Sequence, residues 1–83
     1  MADQERRTLE QQWESRVRHA KLQLDLCRLY VKQMQAVAVP EPDSGHAFRK
    51  ALRSERSALA EYTRTLRAYS DLVVYGKVPQ EAS

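Results

Sequence analysis

The sequence predicts an all-α protein, an antiparallel two-helix hairpin that dimerisation completes as a four-helix bundle. Three observations predict this fold. Two long segments carry apolar residues at alternating spacings of four and three, one cluster of prolines and glycine separates them, and the first segment has a second apolar face. Alternating spacings of four and three keep an apolar seam on the side of a helix that packs against another helix.

The whole chain, residues 1–83, is expected to form a single helical hairpin domain. Helix one is predicted at about 3–38 and helix two at about 45–75. A turn at about 39–44 joins them, and a short C-terminal tail covers 76–83. A single core at this length is marginal, so we expect reinforcement by oligomerisation.

Helix one begins at Asp3, a plausible N-cap, with Glu5 in the first turn where the helix dipole favours negative charge. It ends before Val39, because the following Pro40 disfavours helical geometry there. A strand over 31–39 is the alternative, but the sustained seam spacing favours a helix. The predicted seam of helix one is Trp13, Val17, Ala20, Leu24, Cys27, Val31, Met34 and Ala38.

Helix two is capped by Asp43 or Ser44 and ends near Tyr75, with Gly76 as the residue after the C-cap. Its seam has the same spacing as that of helix one. The predicted seam of helix two is Phe48, Leu52, Glu55, Leu59, Tyr62, Leu66, Tyr69 and Val73.

Matching the two seams predicts a register in which Ala38 faces Phe48 at the turn and Trp13 faces Val73 at the open end. Small residues then meet large ones in several layers, as close packing requires.

Two seam residues have alternative roles. Glu55 is expected to set the register by pairing with Arg28 or Lys32 across the hairpin, and the alternative is a functional carboxylate. Cys27, the one cysteine, is expected to be a buried small hydrophobe, and the alternative is a reactive or intermolecularly bridged thiol.

Three leucines on helix one form the second apolar face. Leu22, Leu26 and Leu29 point roughly 160–180° away from the centre of the seam, at about 100° per residue. One neighbouring helix cannot cover both sides of helix one. The three leucines are therefore the predicted centre of an intermolecular interface.

Helix two also has a row of small residues that Leu72 continues. The row is either a solvent-facing alanine face or a second packing surface, and Leu72 favours packing, at the margin of the four-helix core. The row consists of Ala47, Ala51, Ser54, Ala58 and Thr65.

Five arginines fall within an arc of about 80° on helix two and span about 27 Å. Such a stripe can neutralise successive phosphates, so it is a candidate contact for nucleic acid or another acidic ligand. The alternative is a solvated or ion-paired helix face. The stripe consists of Arg49, Arg53, Arg56, Arg64 and Arg67.

No motif predicts catalysis, a metal site or a cofactor. The imidazole and thiol side chains are His19, Cys27 and His46, and no two of them have the spacing of three or four that places ligands on one helix face. The two glycines stand alone, so no glycine-rich phosphate loop is present. A two-helix hairpin is also expected to lack a cleft, so we expect no enzyme and no cofactor.

Composition and charge favour a cytoplasmic protein. The net charge is +3, with both signs interleaved, and the first residues are charged rather than apolar, unlike a signal peptide. The longest apolar stretch is far shorter than a membrane span, so we expect no membrane partner.

The predicted function is a small non-enzymatic protein–protein interaction or assembly module. Its partner would be a second copy or another helical protein. The alternative is a small basic protein that binds nucleic acid non-specifically through the arginine stripe.

Overall fold

The computed structural model describes residues 3–36 and 42–79, and within them it shows two α-helices and no strand. Helix α1 is Asp3–Ala36 and helix α2 is Pro42–Tyr75, each of 34 residues. They pack side by side in a rod of 59 × 21 × 17 Å. The predicted helical hairpin is confirmed.

The boundaries differ most at the start of α2, which begins at Pro42 rather than near residue 45. Proline suits the first helical turn because its missing N–H would be unpaired there in any case. The predicted capping residues Asp43 and Ser44 therefore lie within the helix rather than before it. Asp3 likewise lies in the first turn of α1 rather than before it. The predicted end of helix one and most of the turn, residues 37–41, lie outside the described residues, as do residues 80–83 of the predicted tail.

The predicted seam of α1 is confirmed. Ala20, Leu24 and Val31 are buried against α2, and Trp13, Val17, Cys27 and Met34 beside them are half-buried. Ala38, the last predicted seam residue, lies outside the described residues. Cys27 is a free thiol on this packed side of α1.

The predicted seam of α2 is half right. Its members Phe48, Glu55, Tyr62 and Tyr69 are half-buried, whereas Leu59, Leu66 and Val73 are exposed. The most buried residues of α2 form an inner row at exact heptad spacing, Ala51, Ala58, Thr65 and Leu72. Ala51, Thr65 and Leu72 are buried, and Leu72 is 0% exposed. An outer row, one residue further along at each step, is formed by Leu52, Leu59, Leu66 and Val73. Its last three members are exposed and Leu52 is half-buried.

Side-chain size explains why the inner row is buried. α1 presents large side chains such as Leu24 and Val31, and small side chains on α2 let the two backbones approach. The hydroxyl of Thr65 donates to the carbonyl oxygen of Glu61 at 2.6 Å, so its burial leaves no unpaired donor. Of the small-residue row, Ala51 and Thr65 are buried against α1, Ala47 and Ala58 are half-buried and Ser54 is exposed, so most of the row is a packing surface.

The register also differs from the predicted one, in which Trp13 faces Val73. The Arg6 guanidinium donates to the carbonyl oxygens of Leu72 at 3.3 Å and Val73 at 3.2 Å. Arg6 lies seven residues before Trp13, so α1 meets the end of α2 about one heptad nearer its own N-terminus than predicted. The predicted pairing of Glu55 with Arg28 or Lys32 is absent from the ion pairs of the described residues.

Arg6 and Gly76 together close the C-terminal end of α2. Gly76 has a φ of +66° and donates its backbone N–H to Leu72 at 3.0 Å, as predicted for the residue after the C-cap. The Arg6 guanidinium supplies a donor to the carbonyl oxygen of Val73 in the last helical turn, and a second hydrogen bond to the carbonyl oxygen of Leu72, which also accepts from Gly76. A cationic group also stabilises the negative end of the helix dipole.

Candidate interaction surfaces

The leucine face of α1, formed by Leu22, Leu26 and Leu29, lies on the side of α1 turned away from α2. The three side chains are 54%, 51% and 52% exposed. The geometry thus matches the prediction that α2 covers one side of α1 and leaves the other open. Tyr30, next to Leu29, is equally exposed and adds an aromatic ring to the border of this face.

The outer row of α2 is a second exposed apolar surface. Leu59, Leu66 and Val73 are 43%, 38% and 42% exposed. These side chains lie on one flank of the hairpin, about 100° around α2 from the inner row. The two apolar surfaces therefore point in different directions, one away from α1 and one to the side of α2.

Sequence analysis assigned the outer row to the interhelical seam and so missed it as a surface. The signal that could have identified it is the adjacent inner row, which repeats at the same heptad spacing. When two neighbouring rows compete for one seam, the smaller side chains allow the closer helix contact. The larger row is then displaced to the flank.

The arginine stripe lies on the back of α2, opposite the inner row. All five guanidinium groups are exposed. Arg64 is paired with Glu61 one turn earlier in the helix. No ion pair is formed by the other four arginines among the residues that the structure describes. The structure thus brings the stripe together as predicted and leaves most of its charge available.

An open groove, which sequence analysis did not anticipate, runs along the flank opposite the outer row. Trp13, Arg16 and Gln23 border it on α1, and Glu61 and Asp71 border it on α2. The Arg16 guanidinium lies 4.6 Å from the centre of the Trp13 ring, a cation–π contact. No buried side-chain polar atom of the described residues lacks a hydrogen-bond partner.

The described residues contain no group of three or more His, Cys, Asp or Glu side chains that could hold a metal ion. His19 and His46 are exposed and Cys27 is half-buried, on separate parts of the hairpin. Neither described helix has a stretch both long and apolar enough to cross a lipid bilayer.

The surfaces of the hairpin are thus apolar or cationic and lie on the outside of two paired helices. Comparison with known proteins adds nothing to this description, since no protein-family model, no curated protein and no solved structure matches the chain.

Proposed function

We propose that this chain is a non-enzymatic interaction module and that its leucine face pairs two hairpins into a four-helix bundle. One observation carries the proposal: three leucines at helical spacing are half exposed on the side of α1 that α2 cannot reach. A helix that is apolar on two sides is typical of one with two helical neighbours. A helical protein of another kind is the second possible partner.

The small core of the hairpin supports pairing. The buried apolar residues among those described are Ala20, Leu24, Val31, Ala51 and Leu72. Full burial of a leucine stabilises by about 1.5–3 kcal/mol, and each leucine of this face has about half of its surface left to bury. Three leucines on each of two chains would therefore add several kcal/mol, which is large beside a typical domain stability of about 5–15 kcal/mol.

The position of the leucine face also constrains the arrangement of the pair. The two α1 helices would pack against each other at the centre, with one α2 helix on each outer side, so the bundle would be flattened and its two α2 helices would not touch. The inner row cannot contribute to this interface, because it is already buried against α1. The pair would leave both outer rows and both arginine stripes on its surface.

A Leu26→Glu variant tests the proposal. It places a carboxylate at the centre of the leucine face, where pairing would bury it, so we expect the variant to be monomeric and to melt at a lower temperature than the wild type. Light scattering gives the mass and circular dichroism gives the melting curve. Gln23→Glu is the matched control, because Gln23 is exposed near the same level of α1 but borders the groove instead.

Two results would contradict self-pairing. One is a wild-type chain that stays monomeric at high concentration, and the other is a Leu26→Glu variant that keeps both its assembly and its melting temperature.

The proposed cytoplasmic location has its own test, which is imaging of a fluorescent fusion in intact cells.

The arginine stripe supports a second candidate function, non-specific binding of nucleic acid. Exposed guanidinium groups on one helix face can neutralise successive phosphates, and no aromatic side chain interleaves with them to stack on bases. We expect any binding to be independent of base sequence and to weaken steeply between low and physiological salt.

Fluorescence polarisation with a labelled duplex, titrated at several salt concentrations, measures this binding. The double variant Arg53→Glu and Arg56→Glu should abolish it, whereas Leu26→Glu should weaken it only as far as pairing of two stripes adds avidity. Salt-insensitive binding of one base sequence would contradict this interpretation of the stripe.

A further inference from the structure

The outer row of α2 is the apolar surface that the proposed leucine interface does not use. Leu52, Leu59, Leu66 and Val73 repeat at exact intervals of seven residues and span about 32 Å along the helix. A heptad row of large aliphatic residues supplies one of the two seam positions by which one helix packs along another in a coiled coil, and the half-buried Tyr62 and Tyr69 beside it lie at the other. The outer row therefore has the geometry of a site for one additional helix.

Charge around the outer row indicates what kind of helix fits. On the side of the row that faces away from α1, Arg49 and Arg56 lie about one helical turn before and after Leu52, and both are exposed. On the inner side, the C-terminal half of α1 borders the row, because the helices are antiparallel. The exposed basic residues on that border are Lys21, Arg28 and Lys32.

Both borders of the row are thus basic near the turn of the hairpin. None of these five side chains forms an ion pair within the part of the chain that the structure describes. Near the open end, Glu10 is paired with Arg6 and Glu14 with Arg18. One acidic residue, Asp25, lies beside the three basic residues of α1, which leaves that border net positive. The unpaired positive charge is therefore concentrated around Leu52 and Leu59.

We infer that the half of the outer row nearest the hairpin turn is a docking site for a partner helix. This helix would have an apolar heptad seam with acidic residues on both sides of it. The seam of the partner would cover Leu52, Leu59 and Leu66, and its carboxylates would lie against the two basic borders. A second copy of this chain fits less well, because the half of its outer row near the turn carries the same basic borders.

Glu55 is the one acidic side chain between the two borders, where it is half-buried. It would lie close to the acidic flank of the partner. Removing the charge of Glu55 should therefore raise the affinity for the partner helix. Non-specific hydrophobic binding to the outer row does not depend on this charge in the same direction.

The probe is a synthetic four-heptad peptide with Leu at both seam positions and Glu at both flanking positions, which repels its own copies. The matched peptide has Lys at the flanking positions. Titration calorimetry at low salt should give the acidic peptide an affinity at least about tenfold higher than the basic peptide. Equal affinities would overturn the inference.

Four variants locate the site. The pair Leu59→Gln and Leu66→Gln should lower the affinity for the acidic peptide by about tenfold or more. The pair Arg49→Glu and Arg56→Glu, at fully exposed positions that the fold does not need, should reverse the preference between the two peptides. Glu55→Gln should raise the affinity for the acidic peptide. The pair Leu22→Gln and Leu26→Gln should leave it unchanged.

The last pair separates this inference from the proposed function. Loss of peptide binding in that pair would place the peptide on the leucine face and overturn the inference, whatever the mass of the chain. A lower mass of Leu59→Gln and Leu66→Gln in the absence of peptide would assign the outer row to a second copy instead. A Leu22→Gln and Leu26→Gln variant that is monomeric and still binds the peptide would support both the leucine face as the pairing interface and the outer row as the peptide site.

Discussion

The inner and outer rows of α2 lie one residue apart at every step and have opposite environments. Leu72 is fully buried, whereas the neighbouring Val73 is 42% exposed. Ala51 is buried, although Leu52, which follows it, is far more hydrophobic. The comparison shows that hydrophobicity alone does not choose the packed face of a helix. Which row faces α1 decides, and at Ala51, Ala58 and Thr65 the row that faces α1 has small side chains that let the two backbones approach.

The largest expected effect on stability comes from truncating a leucine of the inner row, compared with a leucine of the outer row. Leu72→Ala should lower the free energy of unfolding by about 3 kcal/mol, because it removes a fully buried side chain and leaves a cavity. Leu66→Ala should cost less than about 1 kcal/mol, because Leu66 is partly in water already. Urea denaturation followed by circular dichroism, at one chain concentration, measures both. A larger loss for Leu66→Ala than for Leu72→Ala would exchange the roles of the two rows.

Enlarging a small residue of the inner row is expected to have the next largest effect. Ala51→Leu should destabilise the hairpin by about 2 kcal/mol, because the added atoms force the two helices apart. Ala60→Leu is the control on the exposed back of α2 and should change stability by no more than about 0.5 kcal/mol. Thermal melting monitored at the same wavelength compares them. A stabilising Ala51→Leu would mean that the seam has room for the larger side chain.

A smaller effect is expected from Arg6, which bonds to the last carbonyl groups of both rows. Arg6→Ala should cost about 1 kcal/mol, because two hydrogen bonds at the end of α2 are lost. Arg7→Ala is the control, since Arg7 is an exposed neighbour with the same charge. Amide hydrogen exchange should show faster exchange near the end of α2 only in the Arg6 variant. Equal exchange in both variants would assign Arg6 no role in closing the helix.

Much of the fold could be predicted because local patterns dictate it. The seam of α1 is confirmed at Ala20, Leu24 and Val31, since one strong row of apolar residues has no competitor on that side of the helix. The open position of the leucine face followed from the same arithmetic of 100° per residue. Gly76 was predictable as well, because a left-handed residue after a helix strongly favours glycine.

The packed face of α2 could not be predicted with the same reasoning. The inner and outer rows lie side by side on α2 with identical heptad spacing. When α2 is considered alone, the outer row has more large apolar residues and is the better predicted core. The register was wrong for another reason, since it was derived by pairing Ala38 with Phe48 at the turn, and α2 begins earlier than predicted, at Pro42. The hydrogen bonds of Arg6 join residues 66 and 67 positions apart, a separation that no local pattern encodes.

By itself, the sequence determined two helices of nearly equal length, the packed side of α1 and the leucine face opposite it. These features depend on periodicity and helix termini, which are properties of each segment alone. Only the tertiary structure decided that Ala51, Thr65 and Leu72 are buried and that Leu59, Leu66 and Val73 lie on the flank. The physical reason is that burial on α2 depends on how closely two backbones approach, and this depends on side chains from both helices at once.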